Sequence, residues 1–82
     1  MKLTYDPRYN IAYICLREKT EQVETIEVSP ELNVDIAPDG TIYGIELLNA
    51  NQQLGGASQT SLVVVNEALG ESSEIQLLLN QA

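Results

Sequence analysis

Asp35, Asp39 and Glu46 are the side chains whose types and spacing come nearest to a known chemistry. With Gly40 and Ile42 they fall at positions 1, 5, 6, 8 and 12 of an EF-hand loop, which wraps calcium in carboxylate and carbonyl oxygens. Two residues break the match: Ala37 at position 3 has no side-chain oxygen, and Pro38 at position 4 is foreign to that loop. An EF-hand also needs flanking helices, whereas Leu32 to Ile36 and Thr41 to Leu48 alternate apolar and polar residues as strands do. A hairpin turn accounts for Asp39-Gly40 without a metal. Glu24 with Glu27, or Asp35 with Glu46 across that hairpin, are candidate acid–base pairs. Such a pair needs a pocket that separates the two pKa values, and a thin sheet has little depth for one. The expectation is therefore no catalytic residue, no cofactor and no metal site, with Asp35, Asp39 and Glu46 as the candidates to check.

The other reactive types are few. There is no His, and the single Cys15 lies mid-strand with no base beside it in sequence, which predicts a buried structural thiol. The only aromatics are Tyr5, Tyr9, Tyr13 and Tyr43. Tyr5 and Tyr43 fall on aliphatic strand faces and are expected at the rim of the core, and Tyr9 falls in a turn. Only Arg8 interleaves with them, too little for a base-stacking surface. Gly55-Gly56 lacks the spacing and the Lys of a phosphate-binding loop.

The elements that must position these residues are short strands. Leu3 and Tyr5 alternate with Lys2 and Thr4, and Asp6-Pro7-Arg8-Tyr9-Asn10 makes a turn. Ile11 to Leu16 follows, then Val23 to Val28, whose Glu24, Thr25 and Glu27 suit a half-exposed edge strand. Leu32 to Ile36, the turn Ala37-Pro38-Asp39-Gly40 and Thr41 to Leu48 form the clearest hairpin. The fold class is mainly β, a β-rich α+β chain whose residues 1–48 make an antiparallel meander of about five strands. Asn49 is placed to cap one helical turn near residues 50–54, ended by Gly55-Gly56. Ala57 to Ser61 reads as a loop, and Leu62-Val63-Val64-Val65 as a buried strand. In the tail Glu71 to Ala82, Ile75, Leu78 and Leu79 fit helical spacing, with Ser72 or Ser73 as cap, and a helix is the preferred reading. The 82 residues are read as one domain.

Charge bounds the partners. Twelve Asp and Glu against four Lys and Arg give a net charge of −8, and the distribution is lopsided. Residues 1–19 hold all four bases and two carboxylates, a net +2; from Thr20 onward ten carboxylates meet no base. That excludes a clustered cationic surface for nucleic acid or an anionic membrane. No leader is evident at Met1 to Pro7, no apolar run approaches the roughly 18 residues of a membrane span, and a cytoplasmic location is expected.

Met1-Lys2-Leu3-Thr4-Tyr5-Asp6-Pro7, Ala12-Tyr13-Ile14-Cys15-Leu16 and Gly44-Ile45-Glu46-Leu47-Leu48 followed by Ala50 come in order with matching gaps. In these segments the chain resembles a family of small bacterial proteins catalogued only as a domain of unknown function. The resemblance covers residues 1–50 and implies a small, mostly antiparallel sheet, with no activity or catalytic residue to transfer. Asn10-Ile11 departs from the acidic residue often placed before the Ala, and the extension over 51–82 is longer than usual.

Taken together, the residues point to a small acidic non-catalytic protein acting as a self-associating protein-interaction module. A half-polar sheet leaves one apolar face to be covered by the tail or by a second copy, so a homodimer is expected. One alternative is an antitoxin-like neutraliser of a basic protein partner, steered by charge. Another is a metal- or small-ligand-binding protein, or an enzyme, using Asp35, Asp39 and Glu46.

Overall fold

A computed structural model describes residues 1–18, 22–55 and 60–79. The chain is mainly β, as its alternation predicts. Five strands, β1 (Lys2–Asp6), β2 (Ile11–Cys15), β3 (Glu24–Ser29), β4 (Leu32–Ile36) and β5 (Ile42–Leu48), form one antiparallel sheet. A four-residue helix, α1 (Ala50–Gln53), follows, and β6 (Thr60–Asn66) and β7 (Glu71–Leu77) make a separate two-stranded sheet.

The spatial order is β1-β2-β5-β4-β3, which corrects the simple meander. β5, at seven residues the longest of the five, lies between β2 and β4, with its Tyr43 and Leu47 buried. β3, with Glu24 and Glu27, goes to the edge, where exposed carboxylates cost nothing and discourage further pairing.

Register sorts the side chains into two faces. Leu3, Ile14, Ile45, Val34 and Ile26 stand side by side across all five strands, one continuous aliphatic row. The adjacent row includes Tyr5, Ala12, Leu47 and Leu32, and here α1 closes the core: Ala12, Leu47 and Ala50 are buried, with Leu54 packed against them. On the opposite face Thr4, Tyr13, Glu46, Asn33 and Glu27 form a polar row. The helix is too short to cover both apolar rows, so Ile26 remains 43% exposed and Leu3, Ile14, Val34 and Ile45 only half-buried.

Asn49 occupies the N-cap position, but at φ 53 and ψ 46 its side chain makes no capping bond. Asn10 fixes α1 instead. Its carbonyl accepts from the Ala50 N–H (2.9 Å), and its Oδ1 accepts from the Asn51 N–H (3.0 Å) and from the Tyr5 hydroxyl (3.0 Å). Its Nδ2 donates to Asn51 Oδ1 at 2.7 Å and to Asn49 Oδ1 at 3.2 Å.

The tail corrects two expectations. Glu71–Leu77 is a strand rather than a helix, and Asn80 to Ala82 lie outside the described residues. The reason is non-local: a helix of a dozen residues is marginal alone, whereas β6 offers a full ladder, from Thr60 opposite Leu77 to Asn66 opposite Glu71. Asn66 sets the reversal, its Oδ1 accepting from the Ala68 and Leu69 N–H groups, both at 3.1 Å. Leu62 to Val65 form the expected strand but are not buried, standing 42–56% exposed. Of the loop expected at Ala57 to Ser61, Ala57 to Gln59 lie outside the described residues, as does Gly56 of the helix stop, while Thr60 and Ser61 already belong to β6.

Candidate functional site

The polar face gathers two of the three candidate carboxylates. Asp35 on β4 stands opposite Gly44 on β5 and Thr25 on β3, and Glu46 stands opposite Tyr13 on β2 and Asn33 on β4. Tyr13 leans diagonally across Gly44, and its hydroxyl donates to Asp35 Oδ2 at 2.7 Å. The Thr25 hydroxyl donates to Asp35 Oδ1 at 2.7 Å, and Asn33 Nδ2 donates to Glu46 Oε1 at 2.8 Å. Tyr13, Thr25, Asp35 and Glu46 line an open depression of about 330 Å³.

Gly44 makes this arrangement possible. A Cβ built there would meet the Tyr13 ring 2.8 Å from Cε2 and collide with the phenol oxygen. Only glycine lets the ring lie flat across the strand. The ring and strands then enclose Asp35, which is 8% exposed, and both its oxygens accept hydroxyl protons in place of water. The chemistry of the cluster is a satisfied buried carboxylate that ties β2, β3 and β4 together across β5.

Asp39 belongs to the turn. Its Oδ1 accepts from the Thr41 N–H at 2.9 Å, and that bond holds its carboxyl below the usual value of 3.8. Gly40 N–H bonds the Ala37 carbonyl at 2.9 Å with φ at +90, and strands flank the turn on both sides, so the loop is a hairpin end and lacks the helices of an EF-hand. Among the described residues, no three His, Cys, Asp or Glu side chains cluster as a metal centre would need. Glu24 stands opposite Ile36 and Glu27 opposite Asn33, on opposite faces of β3, so these two do not form a pair. Cys15 is half-exposed, not buried, and its thiol donates to the Arg17 carbonyl at 3.3 Å.

The tyrosines divide as their pattern predicts: Tyr43 is buried, Tyr5 half-buried and Tyr9 exposed. Arg8 lies 5.6 Å from the Tyr9 ring and Arg17 5.8 Å from the Tyr43 ring. Arg8 also grips Asp6 at 3.0 Å, holding that carboxyl below its usual value.

The second candidate surface is the β6–β7 hairpin. Thr60, Leu62, Val64, Ile75 and Leu77 share one of its faces; Val63 and Val65 share the other with Ser72, Glu74 and Gln76. The inner end of β7 approaches β1, where Leu3 and Tyr5 with Ile75 to Leu79 line a groove of about 350 Å³. The hairpin is otherwise separate from the main sheet.

The strands that carry the polar cluster coincide with one family. The family described as a protein of unknown function, DUF2283, matches residues 2–51. This chain belongs to DUF2283. No curated protein and no solved structure matches it. The DUF2283 segment runs from β1 into α1 and so includes Tyr13, Gly44, Asp35, Glu46 and the Asn10 clamp, while β6 and β7 lie beyond it. Among the described residues, no helix is long and apolar enough to cross a membrane.

Sequence reasoning missed Asn10, Thr25 and the Tyr13–Gly44–Asp35 stack. Their only sequence signal is a lone Gly inside a strand pattern, which marks close approach of another group.

Proposed function

We propose that this protein is a small self-associating protein-interaction module, its β6–β7 extension being the association element. One observation carries the reading: Leu62, Val63, Val64 and Val65 are 42%, 52%, 50% and 56% exposed on a sheet of only two strands. Two strands alone are marginal in water, and a hairpin with apolar side chains exposed on both faces has surface to offer a partner. Surface area supports the same reading. A monomer of 9.0 kDa is expected to expose about 4,900 Å², whereas this chain exposes 6057 Å². The excess, about 1,200 Å², goes with a hairpin that stands apart from the main sheet and so leaves surface for a second copy. Light scattering across a concentration series tests this: a mass above the 9.0 kDa monomer is expected, and a strictly monomeric mass at high micromolar protein overturns it.

A second reading, antitoxin-like neutralisation of a basic partner, is favoured by the polar face. Glu27 is exposed and Glu46 half-buried on that face beside the enclosed Asp35, and β3, β4 and β5 contain no Lys or Arg. Steering of this kind is salt-sensitive. Its test is capture of a basic protein from lysate at low salt and its release at high salt, with no salt-sensitive partner counting against it.

A further inference from the structure

We infer that two copies of this chain join edge to edge through β6, giving a four-stranded sheet in the order β7-β6-β6-β7 about a two-fold axis. The inference rests on the self-association reading and says which atoms form the seam.

Sheet edges carry unpaired backbone donors and acceptors, and charges on an edge strand block pairing with another chain. Among the described residues, four strands have an open edge. β1 carries Lys2 and Asp6, β3 carries Glu24 and Glu27, and β7 carries Glu71 and Glu74. β6, Thr-Ser-Leu-Val-Val-Val-Asn, carries none. A two-fold β7–β7 seam would bring carboxylates of like sign together, whereas β6 meets its own copy without any charge.

The register follows from overlap and from the pleat. Pairing all seven residues of β6 antiparallel with its copy puts Val63 on the axis, opposite Val63 of the second copy. Leu62 then faces Val64 of the second copy, Ser61 faces Val65 and Thr60 faces Asn66. A one-residue slip would set the Leu62–Val64–Ile75 face against the Val63–Val65 face, which the period of two forbids. In the full register the two apolar faces join into a stripe holding Leu62, Val64 and Ile75 from each copy. Central apolar pairs flanked by polar ends make the strand self-complementary, as an isologous interface requires.

Crosslinking through a single thiol tests the seam. In a Cys15→Ser background, which removes the only native thiol, Val63→Cys and Val65→Cys are compared under mild oxidation. On-axis residues of an antiparallel pair have Cα atoms about 4.5–5.5 Å apart, within disulfide reach. The two Val65 positions would lie about 14 Å apart, four residue steps along the strand, and cannot bridge. Val63→Cys is expected to form the covalent dimer at least about tenfold faster, because only that pair meets the disulfide geometry. Light scattering on both reduced proteins separates the possible failures. An oligomeric mass with equal crosslinking at the two positions overturns the β6 seam and leaves self-association standing. A monomeric mass overturns both. Val63→Lys in the otherwise native chain supplies an independent readout: a monomer is expected with the far-ultraviolet circular dichroism of the main sheet retained, and an unchanged oligomeric mass overturns the seam.

Discussion

Replacing Gly44 by alanine should destabilise this protein, although alanine is ordinarily the better strand residue. The new methyl falls on the Tyr13 ring, 2.8 Å from Cε2, and the backbone of β5 is locked between β2 and β4, so the tyrosine must move. Moving it breaks the 2.7 Å bond to Asp35, a hydroxyl donating to a carboxylate, worth about 1.5–3 kcal/mol. Water replaces part of that loss, because the ring lies at the surface of the sheet. Alanine returns about 0.5–1 kcal/mol by restricting the unfolded chain. The net expectation is a loss of about 1–2 kcal/mol, or roughly 5–15 °C in melting temperature for a chain of this size. Thermal unfolding of Gly44→Ala, Tyr13→Ala and the double variant, at one protomer concentration, measures the coupling. In the Tyr13→Ala background there is no ring to strike, so Gly44→Ala should become neutral or stabilising. An equal cost in both backgrounds would refute the close approach as the reason for glycine.

Asn10→Ala should cost about 2–3 kcal/mol, because it deletes four side-chain hydrogen bonds and leaves alanine at φ 56; Asn10→Gly should cost less, since glycine tolerates that angle. A urea midpoint for Asn10→Ala that matches the native protein would show that α1 is held by other contacts. The Asp39 carboxyl should titrate below 3.8 in the folded protein, read from its carbon-13 shift against pH. Its folded pKa is depressed, so its contribution to stability is fully present above the unfolded value and is lost as pH falls through the folded one; Asp39→Asn should remove that part of the acid limb. A midpoint at or above 3.8 would contradict the Thr41 N–H as its partner.

What could be read from the chain and what could not divide along local and non-local lines. Strands β1 to β5 and their turns are written in short-range patterns: alternation in Leu32 to Ile36, Pro and Gly in Ala37-Pro38-Asp39-Gly40, carboxylates on β3. The order β1-β2-β5-β4-β3 is not, because it depends on pairing between strands far apart in sequence, β2 with β5. Tyr13 over Gly44 and the Asn10 clamp join residues 31 to 41 positions apart through register alone. Glu71 to Leu77 could follow either period, and its partner strand decided between them. β6 is the instructive case, because its local pattern was legible and its environment disagrees with it. Four consecutive uncharged aliphatic residues specify burial, yet within one chain they are half-exposed or nearly so. Local pattern and tertiary environment normally agree in a folded chain, and conflict between them concentrates at functional surfaces. The uncharged edge of β6 gives that conflict a direction: under the proposed seam, cross-strand neighbours from a second copy would cover part of what Leu62 to Val65 leave exposed.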